Sequence, residues 1–286
     1  ANTISATTYY NLSGSSPSNC FVDFYVTNVH GCSPITIWDE VRSNGSTASG
    51  TLSFAFGYSA LSQGDYSHSE GGVTQSYGDY SHSEGYATVS NGNYSHSEGT
   101  GNISEGEGSH SEGDNTISSG KSSHSEGSLT ISIGDWSHSE GYTTNSIGNY
   151  SHSEGGGTIS EGDFSHSEGD GCQSIGKSSH AEGNSTISIG QASHSEGEYT
   201  ISIGDSSNSK GLGTVSESNY SLVCGMYNIT GGTTNQGEFI IGNGTDDLNR
   251  SNLLVAATSA VTITGQLGVN TTSIVPSAAL QIDSTT

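Results

Sequence analysis

Small and larger side chains alternate along most of this chain, between glycines that recur at every seventh position. From Gly57 to Gly211 this spacing holds at twenty-three consecutive positions. Two kinds of interval alternate: one reads x-x-S-H-S-E-G, as at residues 65–71, and the other is similar to x-x-T-I-S-I-G, as at residues 128–134. The repeat is therefore fourteen residues long.

Within each interval the third and fifth residues are small, mostly Ser and Thr, whereas the fourth and sixth are larger. This period of two is typical of a β-strand, and a heptad rich in Gly, Ser and Thr would make a poor coiled-coil helix. We predict a short strand in each half-repeat, followed by a corner at which glycine supplies a positive φ. Two strands and two corners form one coil of a β-solenoid, with the small side chains facing inward.

Stacking about thirteen such coils at the strand spacing gives a rod about 60 Å long. A coil this thin has almost no interior, and the buried hydroxyls must hydrogen-bond to one another or to backbone carbonyls. We therefore expect one outer face to pack against other copies of the chain.

The composition of the chain argues against several classes of protein and partner. Only 29% of the 286 residues are hydrophobic and 42 are Gly, which argues against an ordinary enzyme domain. The formal net charge of -24 argues against nucleic acid and anionic membranes as partners. No apolar run is long enough to predict membrane insertion. No Walker loop, nucleophile elbow or dinucleotide fingerprint occurs in its required context, so we predict neither an enzyme nor a cofactor.

The S-H-S-E-G motif, with its S-H-A-E-G form at residues 179–183, resembles the repeats of phage and large-virus tail-fibre proteins. The fourteen-residue period is also similar to the YadA-like head repeats of trimeric autotransporter adhesins. The resemblance covers residues 51–232. It implies an all-β, left-handed parallel β-roll in a side-by-side homotrimer, with a structural role in an extracellular or virion fibre. A bacterial trimeric adhesin head is the alternative within this class.

The resemblance divides the chain into three parts. Residues 1–50 break the period and form an N-terminal β-rich cap or attachment segment, with strands predicted at 21–26 and 35–38. Residues 51–232 form the β-roll. Residues 233–286 form a C-terminal β-rich fibre segment of short strands separated by turns. They are similar to segments that follow such rolls in tail fibres and usually continue further, so we expect a truncation or processing boundary at Thr286. Cys20 and Cys32 could form a disulfide in an oxidising compartment or remain free thiols.

His and Glu recur at the fourth and sixth positions of the S-H-S-E-G strand in ten successive coils, whereas the facing strand varies. The pairs are His68 and Glu70, His82 and Glu84, His96 and Glu98, His110 and Glu112, His124 and Glu126, His138 and Glu140, His152 and Glu154, His166 and Glu168, His180 and Glu182, and His194 and Glu196. Phe54 and Phe56 occupy these positions in the first coil, and Leu222 in the last.

Apolar side chains at both ends favour a buried face, so we predict that these residues line the trimer interface. Each His would donate to a Glu of its own or a neighbouring chain, which would raise the His pKa. Lys210 would take over the positive role in one layer. The alternative is a solvated His/Glu face with the Ile-rich face packed.

Two further hypotheses concern ligands. Three copies of His68, Glu70, His82, Glu84, His96 or Glu98 around an axis could hold a transition metal, although protein–protein pairing satisfies the same atoms, and we predict no metal. An ice- or surface-binding solenoid is the alternative from a different class, because Ile and the intervening Thr could form a flat array. Its residues would be Ile131, Ile133, Ile187, Ile189, Ile201 and Ile203.

The expected partners are other copies of the chain, both side by side in the trimer and end to end along a fibre, and a cell-surface or glycan receptor.

Overall fold

The computed structural model describes residues 40–42, 45–230, 237–257 and 260–264. This part of the chain contains thirty short strands, joined by turns, and no helix. These residues belong to one compact unit, Ile37–Thr286. No described segment is a helix long and apolar enough to cross a membrane. The strands form two sheets on opposite sides of each coil.

The first sheet, here called the His sheet, carries the S-H-S-E-G segments. Its strands are β1 (Glu40–Arg42), β3 (Ser53–Tyr58), β5 (His68–Gly72), β7 (His82–Tyr86), β9 (His96–Thr100), β11 (His110–Asp114), β13 (His124–Ser128), β15 (His138–Tyr142), β17 (His152–Gly156), β19 (His166–Asp170), β21 (His180–Asn184), β23 (His194–Glu198), β25 (Asn208–Leu212), β27 (Leu222–Met226), β28 (Phe239–Asn243), β29 (Asn252–Ala257) and β30 (Ala260–Ile263).

The second sheet, here called the Ile sheet, has strands of two residues. They are β2 (Thr47–Ala48), β4 (Leu61–Ser62), β6 (Gln75–Ser76), β8 (Val89–Ser90), β10 (Ile103–Ser104), β12 (Ile117–Ser118), β14 (Ile131–Ser132), β16 (Asn145–Ser146), β18 (Ile159–Ser160), β20 (Gln173–Ser174), β22 (Ile187–Ser188), β24 (Ile201–Ser202) and β26 (Val215–Ser216).

From β3 to β27 in the His sheet, and throughout the Ile sheet, consecutive strands pair in parallel with a shift of fourteen residues. In the His sheet His110 pairs with His124, and in the Ile sheet Ile117 pairs with Ile131. Every position therefore lies directly below its equivalent in the next coil. The predicted all-β parallel solenoid of fourteen-residue coils is confirmed.

The interior is lined by small side chains, as predicted. Ser69, Thr74 and Ser76 are fully buried. The hydroxyl of Ser76 donates to the carbonyl of His68 at 2.6 Å, and the hydroxyl of Ser83 donates to the carbonyl of Gln75 at 2.7 Å. These bonds connect the two sheets across the coil. Most Ser hydroxyls of the interior are satisfied in this way, whereas the buried hydroxyls of Thr74 and Thr130 have no hydrogen-bond partner among the described residues. The prediction that every buried hydroxyl is paired is therefore met only in part, and close packing holds the interior together with the hydrogen bonds.

The corners contain left-handed residues besides the glycines, and some of them are β-branched, which was not expected from the sequence. The left-handed residue is also the second one after each glycine, for example Tyr66 (φ 58°) and the β-branched Val73 (φ 60°). Such a backbone costs a non-glycine residue about 1–2 kcal/mol. The amide of Tyr66 donates to the carbonyl of Thr51 in the preceding coil at 2.8 Å, which offsets this cost.

The regular spacing of glycine along the chain has two causes. Gly71 lies inside β5 with a φ of 113°, a backbone that side chains disfavour. Gly134 has no positive φ, but a Cβ there would lie 2.0 Å from the carbonyl oxygen of Gly148. A Cβ on Gly71 would also lie 2.2 Å from the carbonyl oxygen of Gly85. One glycine of each coil is therefore required for both reasons, and the other by the close approach of the next coil alone.

Short strands follow the last full coil, as expected. β28 adds to β27 in parallel, and β29 and β30 then pair antiparallel with their predecessors, which ends the parallel stack. At the other end, the coil register already includes Glu40 opposite Ser53 and Thr47 opposite Leu61. The predicted strands at 21–26 and 35–38 lie outside the described residues, and the boundaries at 50 and 232 stay predictions.

We expect Gly134→Ala to destabilise the roll by about 1–3 kcal/mol, because the new methyl group would force adjacent coils apart. Gly156→Ala is the matched control, since its Cβ would meet nothing closer than a carboxylate oxygen of Asp170 at 3.6 Å. Chemical denaturation at one fixed protein concentration measures both variants. Equal midpoints for the two would contradict this account of the corner.

Candidate functional site

Ten imidazole rings form one continuous stack along the His sheet, from His68 to His194. Neighbouring ring centroids are 4.6–4.8 Å apart and their planes lie within 10° of parallel. The parallel register produces this stack, because identical residues with the same rotamer repeat at the strand spacing. The Glu residues two positions later form a second column beside it.

Within one chain the predicted His–Glu hydrogen bonds are not formed. The Nε2 atom of His110 lies 3.7 Å from the carboxylate of Glu112, and most other coils have values of 3.6–3.9 Å. These distances are too long for a hydrogen bond. All ten Nε2 atoms are buried and have no hydrogen-bond partner among the described residues. The neighbouring rings and the Glu side chains therefore shield this nitrogen without pairing with it.

The expected rise in the His pKa is also wrong for the single chain. The pKa of His138 falls from 6.5 to about 4, first because burial penalises the charged ring and then because His152 and His124 lie against it. Glu140 opposes this shift only in part. The pKa is lowered for the same leading reason at His82, His110, His166 and His194. These rings are neutral at pH 7.

Apolar side chains occupy both ends of the His and Glu columns, as predicted. Phe54 packs edge-on against His68 at 4.8 Å between centroids, and Phe56 is 54% exposed. At the other end Leu222 pairs in register with Phe239, and both side chains are partly exposed. The column thus ends in uncovered apolar surface at each terminus.

One coil departs from the His/Glu pattern. The ammonium group of Lys210 contacts the Glu196 carboxylate of the preceding coil at 2.6 Å, and this contact raises the Lys210 pKa. Asn208 stands where His would be, 3.4 Å from the Nδ1 atom of His194. Lys210 therefore takes the positive role that the sequence assigned to it.

A single chain does not arrange its His and Glu atoms as a closed metal site. Donor atoms of His110, Glu112 and His124 lie within 4.8 Å of one another, and neighbouring coils repeat this grouping. However, the stacked rings are parallel, so the lone pairs of two adjacent imidazoles point the same way instead of converging on one ion. The candidates at residues 68–98 share this stacked geometry, and an ion there would need donors from other copies.

The Ile sheet does not present the array that an ice-binding surface requires. Ile133 is 51% exposed, but Thr130 and Ser132 beside it are fully buried and face the interior. The same alternation repeats along the sheet, so the outer face carries Ile without the intervening hydroxyls. Glu105 and Glu161 also lie on this outer face and are exposed.

Two columns of side chains at the corner that precedes each His strand were not predicted from the sequence: one of stacked aromatic rings and one of hydrogen-bonded Asp and Asn residues. Exposed aromatic rings at the left-handed position stack on one another, as Tyr66 does on Tyr80 at 4.9 Å. The residue before each ring accepts a hydrogen bond from the coil below: the Asp65 amide donates to the Oδ1 atom of Asp79 at 2.9 Å. The signal was a dipeptide of Asp or Asn followed by Tyr, Trp or Phe, just before S-H-S-E-G.

The chain matches no protein-family model and no curated protein sequence. Its resemblance to adhesin heads and tail fibres therefore rests on the repeat motif and on the solenoid itself. Cys172 is a buried free thiol and Cys224 a partly buried one, whereas Cys20 and Cys32 lie outside the described residues.

We expect the stability of the roll to fall as the pH drops from about 6.5 towards 4. The lowered His pKa values mean that the unfolded chain binds more protons than the folded chain below pH 6.5, so folding stability is complete above that value. Thermal unfolding at several pH values measures this.

The matched variant is His138→Asn, since Asn208 occupies the same column. It should weaken the pH dependence between 6.5 and 4. A melting temperature that instead rises on acidification would show that pairing raises the His pKa in the assembled protein.

Proposed function

We propose that the protein is a structural component of an extracellular or virion fibre, such as a tail or surface fibre, in which it serves as an adhesive head or a spacer rod. Three left-handed rolls would lie side by side as a homotrimer, related to YadA-like heads and to S-H-A-E-G tail fibres. The proposal assigns no catalytic activity, cofactor or metal to the chain. Its partners would be other copies and a cell-surface or glycan receptor.

The observation that carries the proposal is the uncovered apolar surface at both ends of the His/Glu face. Phe56, Leu222 and Phe239 are each more than a third exposed in the single chain. Exposed apolar patches of this kind mark contacts between proteins. Ten of the eleven coils between Phe56 and Leu222 repeat one pair of side chains, so the face is uniform enough for equivalent rolls to pack along its full length.

The interior of the roll supplies a second reason for assembly. Its buried side chains are mostly Ser and Thr, and the largest fully buried apolar one is Val223. Burial of apolar area is the main source of folding free energy, so a roll with this interior gains little of it alone. Packing the His sheets of three copies together would bury the stacked imidazoles and the apolar ends.

The lowered pKa values of five rings, at His82, His110, His138, His166 and His194, suit such an interface. Neutral rings can be buried at lower cost than imidazolium ions, since desolvation penalises only the charged form. The outer face of the Ile sheet is less uniform, because Glu105 and Glu161 interrupt it. We therefore place the trimer contact on the His sheet.

Molar mass by light scattering tests the assembly. At neutral pH we expect three times the chain mass of 29.3 kDa, and the same mass after a chelator is added. A monomer would overturn the homotrimer. A trimer that dissociates with chelator would mean that metal ions hold the columns together.

Paired substitutions identify the face. Phe56→Asp should lower the measured mass or the trimer melting temperature, because it places a charge in the apolar end of the His sheet. Ile133→Asp is the control on the Ile sheet, with a similar exposure of 51% against 54% for Phe56. If Ile133→Asp dissociates the trimer and Phe56→Asp does not, the Ile sheet is the interface.

A further inference from the structure

The aromatic side chains at the corner before each His strand form two separate ladders. Each ladder has three rings, 4.8–5.1 Å apart and within 7° of parallel. The first consists of Tyr66, Tyr80 and Tyr94, and the second of Trp136, Tyr150 and Phe164. All six side chains are about half exposed.

A gap separates the ladders, because Gly108 and Ser122 occupy the two intervening coils. Tyr94 and Trp136 are three coils apart, so their ring planes are about 14 Å apart at the usual strand spacing. Tyr94 is the most exposed ring of its ladder, at 61% against 49% for Tyr66. Tyr94 and Trp136 therefore each turn one ring face towards the space between the two ladders. This space is deep enough for two ring layers and is called here the ladder gap.

The outer end of the second ladder is different. The ammonium group of Lys177 lies 5.8 Å from the ring centroid of Phe164, above its face. That end of the ladder is covered by the chain's own cation. Among the described residues, no cation lies over the ring faces of Tyr94 and Trp136 that border the ladder gap.

Polar groups line the gap, because the Asp/Asn column is interrupted at the same coils. The amide of Asp79 donates to Asn93 at 2.9 Å, and the amide of Lys121 donates to Asp135 at 2.8 Å. Between them the acceptor positions hold Glu107 and Lys121. The backbone N–H groups of Asn93 and Glu107 consequently have no hydrogen-bond partner in the described part of the chain.

The remaining lining consists of charged and hydroxyl groups. Lys121 and Glu107 form an exposed ion pair at 3.1 Å. A Cβ on Gly108 would lie 3.5 Å from the hydroxyl of Ser122 and would meet no closer atom outside its chain neighbours, so there is room for a small group at this position. Two aromatic faces thus enclose free amide donors, a carboxylate, an ammonium group and a hydroxyl.

We propose that the ladder gap binds a saccharide. The C–H faces of pyranose rings, which carry partial positive charge, would pack on the negative faces of Tyr94 and Trp136. Sugar hydroxyls would accept from the free amides and donate to the Glu107 carboxylate. A ligand with apolar faces and polar edges matches aromatic walls with a few convergent polar groups, whereas the charge of -24 repels nucleic acid and other polyanions.

This inference rests on the receptor-binding part of the proposed function and identifies the receptor as a glycan. It does not depend on which face forms the trimer. The two can fail separately, because assembly is measured by mass and the ladder gap by ligand binding.

The first probe is the full chain on an array of immobilised neutral and acidic oligosaccharides. Any bound oligosaccharide is then titrated in solution in a Trp38→Phe background, where Trp136 is the single remaining Trp. We expect a saturable change in Trp136 fluorescence. Absence of any bound oligosaccharide overturns the inference, as does binding that leaves Trp136 fluorescence unchanged.

A filling variant provides the decisive comparison. Ser122→Tyr would insert a ring into the ladder gap, and Tyr already occupies this left-handed position at Tyr66 and Tyr80. Ser206→Tyr is the matched control, with the same change at the same repeat position and nearly the same φ, 53° against 51°. We expect Ser122→Tyr to weaken binding at least tenfold and Ser206→Tyr to leave it within twofold.

Both variants should keep the mass of the parent protein in light scattering, which excludes misfolding as the cause. Equal affinities for the two variants would overturn the inference. A trimer without saccharide binding would contradict the ladder gap alone, and a monomer that binds saccharide would contradict the trimer alone.

Discussion

Backbone hydrogen bonding between coils, at a constant shift of fourteen residues, is the constraint on which the rest of the molecule depends. The shift places each residue directly above its equivalent, from Thr47 opposite Leu61 to Val215 opposite Ile201. A side chain that recurs at one position of the repeat therefore forms a column along the roll. Glycine is required where the coils approach so closely that a Cβ on Gly134 would meet the carbonyl of Gly148.

Columns change the chemistry of their members. At His138, burial in the stack and the adjacent rings of His152 and His124 disfavour the charged form of the imidazole. For His138 the result is a pKa of about 4. The same stacking turns single Tyr residues into ladders. An interruption such as that at Gly108 and Ser122 then becomes a distinct feature, because the regular pattern around it leaves two ring faces uncovered.

The polar interior of the coil explains why apolar side chains are found on its outer surface. Hydroxyl groups such as that of Ser76 tie the sheets together through carbonyls across the coil. This allows a very thin coil but provides little apolar burial. Many of the large apolar side chains that the structure describes are exposed, as at Phe56, Ile133 and Leu222, and Val223 and Ile240 are the large ones that are buried. In the assembly that we propose, association with other copies would supply the apolar burial that the core of a globular domain supplies internally.

The glycine spacing and the alternation of small with larger residues determined the all-β solenoid, its fourteen-residue coil and the inward direction of Ser and Thr. These features follow from short-range geometry that one chain repeats many times. The left-handed backbone at Val73, the Asp65–Asp79 hydrogen bond and the lowered pKa of His138 could not be predicted in this way. Each depends on what the next coil places within hydrogen-bonding or stacking distance, and only the tertiary structure decides that distance.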